Sequence, residues 1–305
     1  MKVRSFSVIK LRRQLSGAGS YLRTGDFVSR IQSSTSSVAE GIAAMYADYT
    51  VELNSEFADF HISVEPPLNL RRWIKPQVLF SVDGLTPFKP LALDQAFPVL
   101  EWGLNWCIST RINNKLIIHA AVVEQNGFTL IMPGEPGSGK STLCAALVSR
   151  GWRLLSDELT MVSLVDGMVS PVPRPVSLKN ESIEVIRRFN PEATIGRVSH
   201  DTAKGSVTHM RVPTEHVERS AETAQPAWVV FPKYIAGAAL SLSPLTKGQA
   251  SIRLIQNSFN YSILSEKGFS AITRLIDQSD CYDFSYSVLD EAIEQFDSLA
   301  ASKLC

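Results

Sequence analysis

Cysteine is scarce: four residues in 305, at positions 107, 144, 281 and 305, with no C-x-x-C pair among them. That density excludes a disulfide-stapled scaffold and implies free thiols in a reducing, cytoplasmic setting. The five histidines are scattered, so no His/Cys metal cluster is expected. Net charge is absent as well, since 30 Lys and Arg balance 30 Asp and Glu. No global field draws the chain to a nucleic acid, and no aromatic-rich basic stripe supplies one locally. Long apolar runs are missing too: none reaches the roughly 18 to 20 residues of a membrane span, and no continuous hydrophobic segment opens the chain. Neither a membrane nor a nucleic-acid partner is therefore expected, and any affinity for phosphate has to be local.

What is present is an ordinary globular composition, 45% hydrophobic and 20% charged, which argues against extended disorder. The length suits one large α/β domain or two smaller lobes. The patterning divides it at about residue 112, giving a mixed α/β lobe over residues 1–112 and a core over residues 113–305 that ends in an α/β extension. Lys2, Arg4, Lys10, Arg12, Arg13 and Arg23 all precede the first acid, Asp26. An exposed edge strand with solvated charges is expected there, with a basic arm or an organellar presequence as alternatives. Phe27-Val28-Ser29-Arg30-Ile31 reads as a strand, and Ser36-Ser37 as the cap of the helix that follows. Further strands are expected at residues 60–64 and 78–82, and a buried helix over residues 94–110. Residues 196–213 are polar and contain glycine, so a mobile segment is expected.

The chemistry concentrates in the middle of the chain. The apolar stretch around Ile117, Ile118 and His119 is followed by Asn126-Gly127 and then by Phe128-Thr129-Leu130-Ile131-Met132. This is a hairpin, because Asn-Gly adopts the positive φ angles of a two-residue turn. Its second strand runs into Gly134-Glu135-Pro136-Gly137-Ser138-Gly139-Lys140-Ser141, which matches G-x-x-x-x-G-K-[ST] at every position, with Thr142 extending it into a helix. Backbone N–H groups of such a loop cradle the phosphates of a nucleoside triphosphate at a helix N-terminus, Lys140 reaches the β and γ phosphates, and Ser141 ligates Mg²⁺. After the next strand, residues 152–156, come Asp157 and Glu158. They are expected beside the P-loop strand, at its carboxyl end, one orienting an acceptor hydroxyl and the other serving Mg²⁺. Beyond the proline-rich loop at residues 171–175, Arg174 and Lys179 are candidates to touch the γ phosphate, as are Lys204, His209 and Arg211 on the polar segment. His119, fifteen residues before Gly134, reads either as a core histidine or as a site residue.

His119, the P-loop, Arg150-Gly151 and Arg153-Leu154 before Asp157-Glu158 follow one order and spacing. In this the chain resembles the HPr kinase/phosphorylase family. A longer resemblance, to the bacterial group called HprK-related kinase A, is carried by Asp94-Gln95-Ala96-Phe97-Pro98, Leu100-Glu101-Trp102-Gly103-Leu104-Asn105, Ser156-Asp157-Glu158-Leu159-Thr160 and Pro173-Arg174-Pro175-Val176-Ser177. The resemblance implies an α/β, phosphoenolpyruvate-carboxykinase-like P-loop core with a mixed α/β N-terminal lobe. It also implies ATP and Mg²⁺ as cofactors, Asp157 as general base on an acceptor serine, and His119 near the transferred phosphate. The second acid of that family is an aspartate; here it is Glu158. A protein or peptide acceptor is the leading expectation. A nucleotide-gated binding module with little kinase activity and a small-molecule kinase are the alternatives, and the oligomeric state stays open.

Overall fold

The computed structural model describes residues 1–303, so Cys305 lies outside the described residues. The other three cysteines are buried and free. Three sheets carry the fold. The first has six strands in the order Val51–Glu52, Ser20–Thr24, Phe27–Gln32, Phe60–Glu65, Gln77–Val82 and Leu91–Ala92. Phe60, Ile62 and Val64 alternate with more exposed neighbours, as do Val78, Phe80 and Val82, which turns one apolar face inward. The helix Ala96–Arg111 lies against that face. Its approach requires Gly103, where an added Cβ would stand 1.9 Å from Phe80 Cε2.

The second sheet runs Val169–Ser170, Leu159–Ser163, Lys115–Gln125, Phe128–Pro133, Gln225–Tyr234, Asp280–Tyr286 and Ser241–Pro244; Arg153–Ser156 also pairs with Lys115–Gln125. The expected hairpin is present, with Asn126 and Gly127 at φ 57° and 86°. Both faces of this sheet are covered. Leu130 and Met132 join the larger core cluster, while Ile131 joins a second cluster on the opposite face. That double burial is why these strands read as unbroken apolar runs. The larger cluster extends without interruption from Val3 and Phe80 through Leu104 and Leu143 to Phe296.

The third sheet, Val176–Lys179, Gly205–Met210 and Ser199–Thr202, corrects the reading of residues 196–213 as mobile. Val207, Thr208, His209 and Met210 are all buried there. Their polarity conceals a strand because part of it faces a polar interior rather than an apolar one. The basic N-terminus is also different from expectation. Residues Val8–Ser16 form a helix capped by the Ser7 side chain, burying Leu11 and Leu15 one helical turn apart, and the first edge-proximal strand begins only at Ser20. Among the described residues no helix is long and apolar enough to cross a membrane.

Candidate active site

The register of Lys115–Gln125 explains why distant sequence words meet. Its Ala120 pairs with Pro133, the last residue before the P-loop, and its Val122 with Ser156, the last before the acids. His119 itself pairs with Leu159, the first residue after them. Both partner strands run antiparallel to this one, so the P-loop and the acid pair leave the sheet at the same end, on either side of His119. This corrects one expectation: Arg153–Ser156 does not adjoin the P-loop strand, because the histidine strand lies between them. Asp157 and Glu158 form a two-residue break in what is otherwise one long partner of that strand. Ser156 Oγ braces the break by accepting from Leu159 N at 3.0 Å. The short apolar run Leu154-Leu155 is half of that interrupted strand.

The P-loop sits between Phe128–Pro133 and the helix Lys140–Ser149. Gly137 and Gly139 take φ 87° and 95°, conformations that side chains resist. At Gly139 a Cβ would also come 2.6 Å from the Tyr286 hydroxyl. The ends of two parallel strands hold the loop from outside: Tyr234 N donates to Ser138 O at 3.0 Å, and Tyr286 Oη donates to Gly139 O at 3.2 Å. Glu135 and Pro136 are exposed on the rim, whereas Ser141 and Thr142 are half-buried at the start of the helix. Lys140 is only 8% exposed and its ammonium folds back onto the Gly134 carbonyl. Burial lowers its proton affinity, and the charges of Asp157 and Glu158 oppose that.

Asp157 is 9% exposed. Its Oδ2 accepts from Ser177 N at 2.8 Å, while Oδ1 is buried with no hydrogen-bond partner. Burial raises its pKa, the charge of Glu158 adds to this, and Ser177 N, Lys179 and the nearby Ser141 hydroxyl work against it. Glu158 is set differently: its Oε2 accepts from Asn105 Nδ2 at 2.5 Å and its Oε1 lies 3.9 Å from His119 Nε2. His119 is pinned through its backbone N to Asn257 O at 2.7 Å, and its ring lies 5.6 Å from that of Phe259. Burial, followed by the Lys140 charge, pushes its pKa down to about 4, so at neutral pH the ring is an uncharged hydrogen-bonding group.

The other candidates divide. Arg174 reaches the site but is 7% exposed and already committed, to Glu101 O at 3.2 Å, to Glu101 Oε2 at 3.5 Å and to Asn105 Oδ1. Lys179 forms no ion pair among the described residues, yet its charge acts on Asp157, His119 and Lys140. Lys204 stands over the Trp102 ring at 5.5 Å. His209 is buried beside the acids, its ring edge-on to Phe97 at 5.4 Å. Arg211 is not part of this group: it pairs with Asp48 and lines a separate cavity of ≈ 300 Å³ beside Ser149 and Thr214. Arg211 lies just past the end of the strand that closes at Met210, so strand alternation no longer holds it on His209's side.

The sequence reading missed Glu101 and Asn105, which link the N-terminal lobe to the acids. Tyr46 Oη donates to Glu101 Oε1 at 2.6 Å, Glu101 holds Arg174, Arg174 donates to Asn105, and Asn105 donates to Glu158. The signal was available: two polar residues at i and i+4 within the otherwise apolar stretch 96–108 of the helix share one face. For Mg²⁺, Ser141, Asp157 and Glu158 offer the hard oxygens the ion prefers, and the half-buried Ser141 and Glu158 leave theirs accessible to it. Among the described residues no three His, Cys, Asp or Glu converge as a ready-made cage. The ion would therefore take the rest of its shell from phosphate oxygens and water.

Fold and site together describe an α/β protein whose glycine-rich loop joins a sheet strand to a helix and faces a carboxylate pair. No family model matches the chain. The HPr kinase/phosphorylase of Clostridium kluyveri is 31% identical over 100 residues, 28% of this chain and 32% of that protein. The HPr kinase/phosphorylase of Treponema pallidum is 33% identical over 104 residues, 30% of this chain and 32% of that protein. The match thus spans about a third of the length of these curated relatives. Among solved structures, the Hpr(Ser) kinase/phosphatase from Coxiella burnetii is 11% identical with a TM-score of 0.28, covering 61% of this chain and 98% of that one. The chain resembles the HPr kinase/phosphorylase family.

Proposed function

We propose that this protein is an ATP-dependent phosphotransferase that phosphorylates a serine hydroxyl of a protein or peptide, with Asp157 as general base. The state of Asp157 carries the reading. Its carboxylate is anchored through one oxygen, leaves the other free, and is buried next to the P-loop serine. A base for a hydroxyl needs a fixed position and a raised proton affinity, and burial supplies both. The serine acceptor is supported by the resemblance to proteins named HPr kinase/phosphorylase.

In this reading the N–H groups of residues 137–141 receive the phosphates and Lys140 leaves Gly134 O for them. Ser141 and Glu158 hold Mg²⁺, which neutralises phosphate charge when bound. Asn105, fixed by Arg174, keeps Glu158 turned toward the loop. Lys179 and Lys204 offset charge on the transferred group, and neutral His119 can bond it without repelling the lysines. Asp157 takes the acceptor proton as the acceptor oxygen attacks the γ phosphorus in line with the departing ADP. Incubation with γ-labelled ATP, Mg²⁺ and candidate acceptor proteins, followed by phosphoamino-acid analysis, tests this. Label in phosphoserine is expected; label confined to inorganic phosphate or to small metabolites with every acceptor tried counts against it.

A further inference from the structure

Beside Asp157 lies a small, partly open pocket of ≈ 10 Å³, room for one water-sized group. Its walls include Trp102 and Asn105 from the N-terminal helix, Asp157 and Glu158 from the break, and Ser177 and His209 from the third sheet. Four buried polar atoms on these walls have no hydrogen-bond partner: Asp157 Oδ1, Ser177 Oγ, His209 Nε2 and Trp102 Nε1. Orphaned buried polar groups are rare singly, and an apolar lining would leave such a space dry. Here four of them belong to residues that line one pocket with room for a single oxygen atom and its hydrogens.

The backbone makes the grouping systematic. Ser177 and His209 are directly opposed partners in the antiparallel pair Val176–Lys179 and Gly205–Met210, so their side chains share a face of the sheet. The Ser177 amide is bonded to the other oxygen of Asp157, which fixes that face against the carboxylate. His209 is 2% exposed and its ring is held edge-on by Phe97. Nothing within the described protein answers its Nε2.

We infer that this pocket is a hydroxyl subsite, in which Ser177 and His209 hold the oxygen of a water in the resting protein and the hydroxyl oxygen of the acceptor in the reacting complex. The inference rests on the phosphotransferase reading and names two further residues of that site. The acceptor O–H bond breaks and its proton passes to Asp157 Oδ1. The O–P bond forms, and the bond from the γ phosphorus to the β,γ-bridging oxygen breaks with its electron pair remaining on ADP. With water left in the subsite the same step yields inorganic phosphate, so the protein hydrolyses ATP slowly without any acceptor.

Two measurements test it. A crystal structure of the full chain resolving ordered solvent is expected to show one water bonded to Asp157 Oδ1 and to at least two of Ser177 Oγ, His209 Nε2 and Trp102 Nε1. A dry pocket, or one closed by bonds between these side chains, overturns the inference whether or not turnover is detectable. Phosphate release from Mg-ATP is expected to fall about tenfold or more in kcat for Ser177→Ala and for His209→Phe, with KM for ATP little changed. A structural role alone would instead lower folded yield and leave the surviving enzyme's kcat intact. Should His209→Phe fail to fold, Ser177→Ala, which removes a single oxygen, carries the kinetic test. If Asp157→Asn abolishes release while both of these variants keep wild-type kcat, the subsite falls and the phosphotransferase reading stands. If Asp157→Asn also leaves release unchanged, the reading itself falls.

Discussion

Asp157 holds a carboxylate where burial favours its protonated form. A raised native pKa means that its contribution to stability is complete below the unfolded pKa and is lost as pH rises through the native one. At pH 7, above the ordinary carboxylate range, a raised pKa weakens the fold, and Asp157→Asn, whose amide oxygen can still accept from Ser177 N, is expected to melt at a higher temperature than wild type. Thermal denaturation followed by circular dichroism checks the direction; a lower melting temperature would show that the site does not strain this carboxylate. Three histidines, the buried His209 and His216 and the half-buried His119, act with the opposite sign. His119 and His216 titrate near 4 and His209 near 3, each lowered first by burial from 6.5. Unfolding releases them to ordinary values, so it takes up as many as three protons and stability declines as pH falls from 6.5 toward 4. Asp157 and Glu101, raised by burial, partly offset this at the acidic end. Urea titrations at pH 7 and pH 5 are expected to show the loss, and His119→Gln to reduce its slope by about one proton.

At the scale of elements, the helix Ala96–Arg111 matters beyond its packing. It presents Glu101, Trp102 and Asn105 to the acids while Gly103 seats it on Phe80. Gly103→Ala is expected to displace the helix, costing about 1 to 3 kcal/mol as overpacked cores do. It should also lower turnover although residue 103 touches neither acid nor loop; unchanged kcat in a destabilised variant would separate the helix from the site. How legible this was follows from locality. The hairpin, the P-loop and the acids could be read because each is spelled within a few consecutive residues, in patterns that backbone geometry dictates. The role of Asn105 could not be read so directly, since its partners Arg174 and Glu158 lie far along the chain. The strand Gly205–Met210 was concealed because Thr208 and His209 are buried among polar groups, so hydropathy reports water where there is protein. The placing of Arg153–Ser156 failed for a third reason: its apolar run is cut by the acids and gives no clue to its neighbour.

Across the whole molecule, the lobes delimited in the sequence at residue 112 share one apolar core, from Val3 to Ala300. The relay from Tyr46 to Glu158 crosses the same boundary. Unfolding in denaturant is therefore expected to be a single transition, with tryptophan fluorescence and far-ultraviolet circular dichroism coincident. Trp102 and Trp106 report the N-terminal side, Trp152 and Trp228 the core, and two separated transitions would show lobes that fold apart. The helix Ala96–Arg111 brings Glu101, Trp102 and Asn105 against Asp157 and Glu158, so folding of the N-terminal side is expected to govern the proposed site. The proposed transfer site joins the P-loop to Asp157. Its most direct test compares wild type with Asp157→Asn for binding of ATP and for transfer of label from γ-labelled ATP to serine. Equal ATP affinity is expected, with a loss of transfer of about 10² to 10⁴ in the variant. Transfer that survives the substitution at the wild-type rate would contradict it.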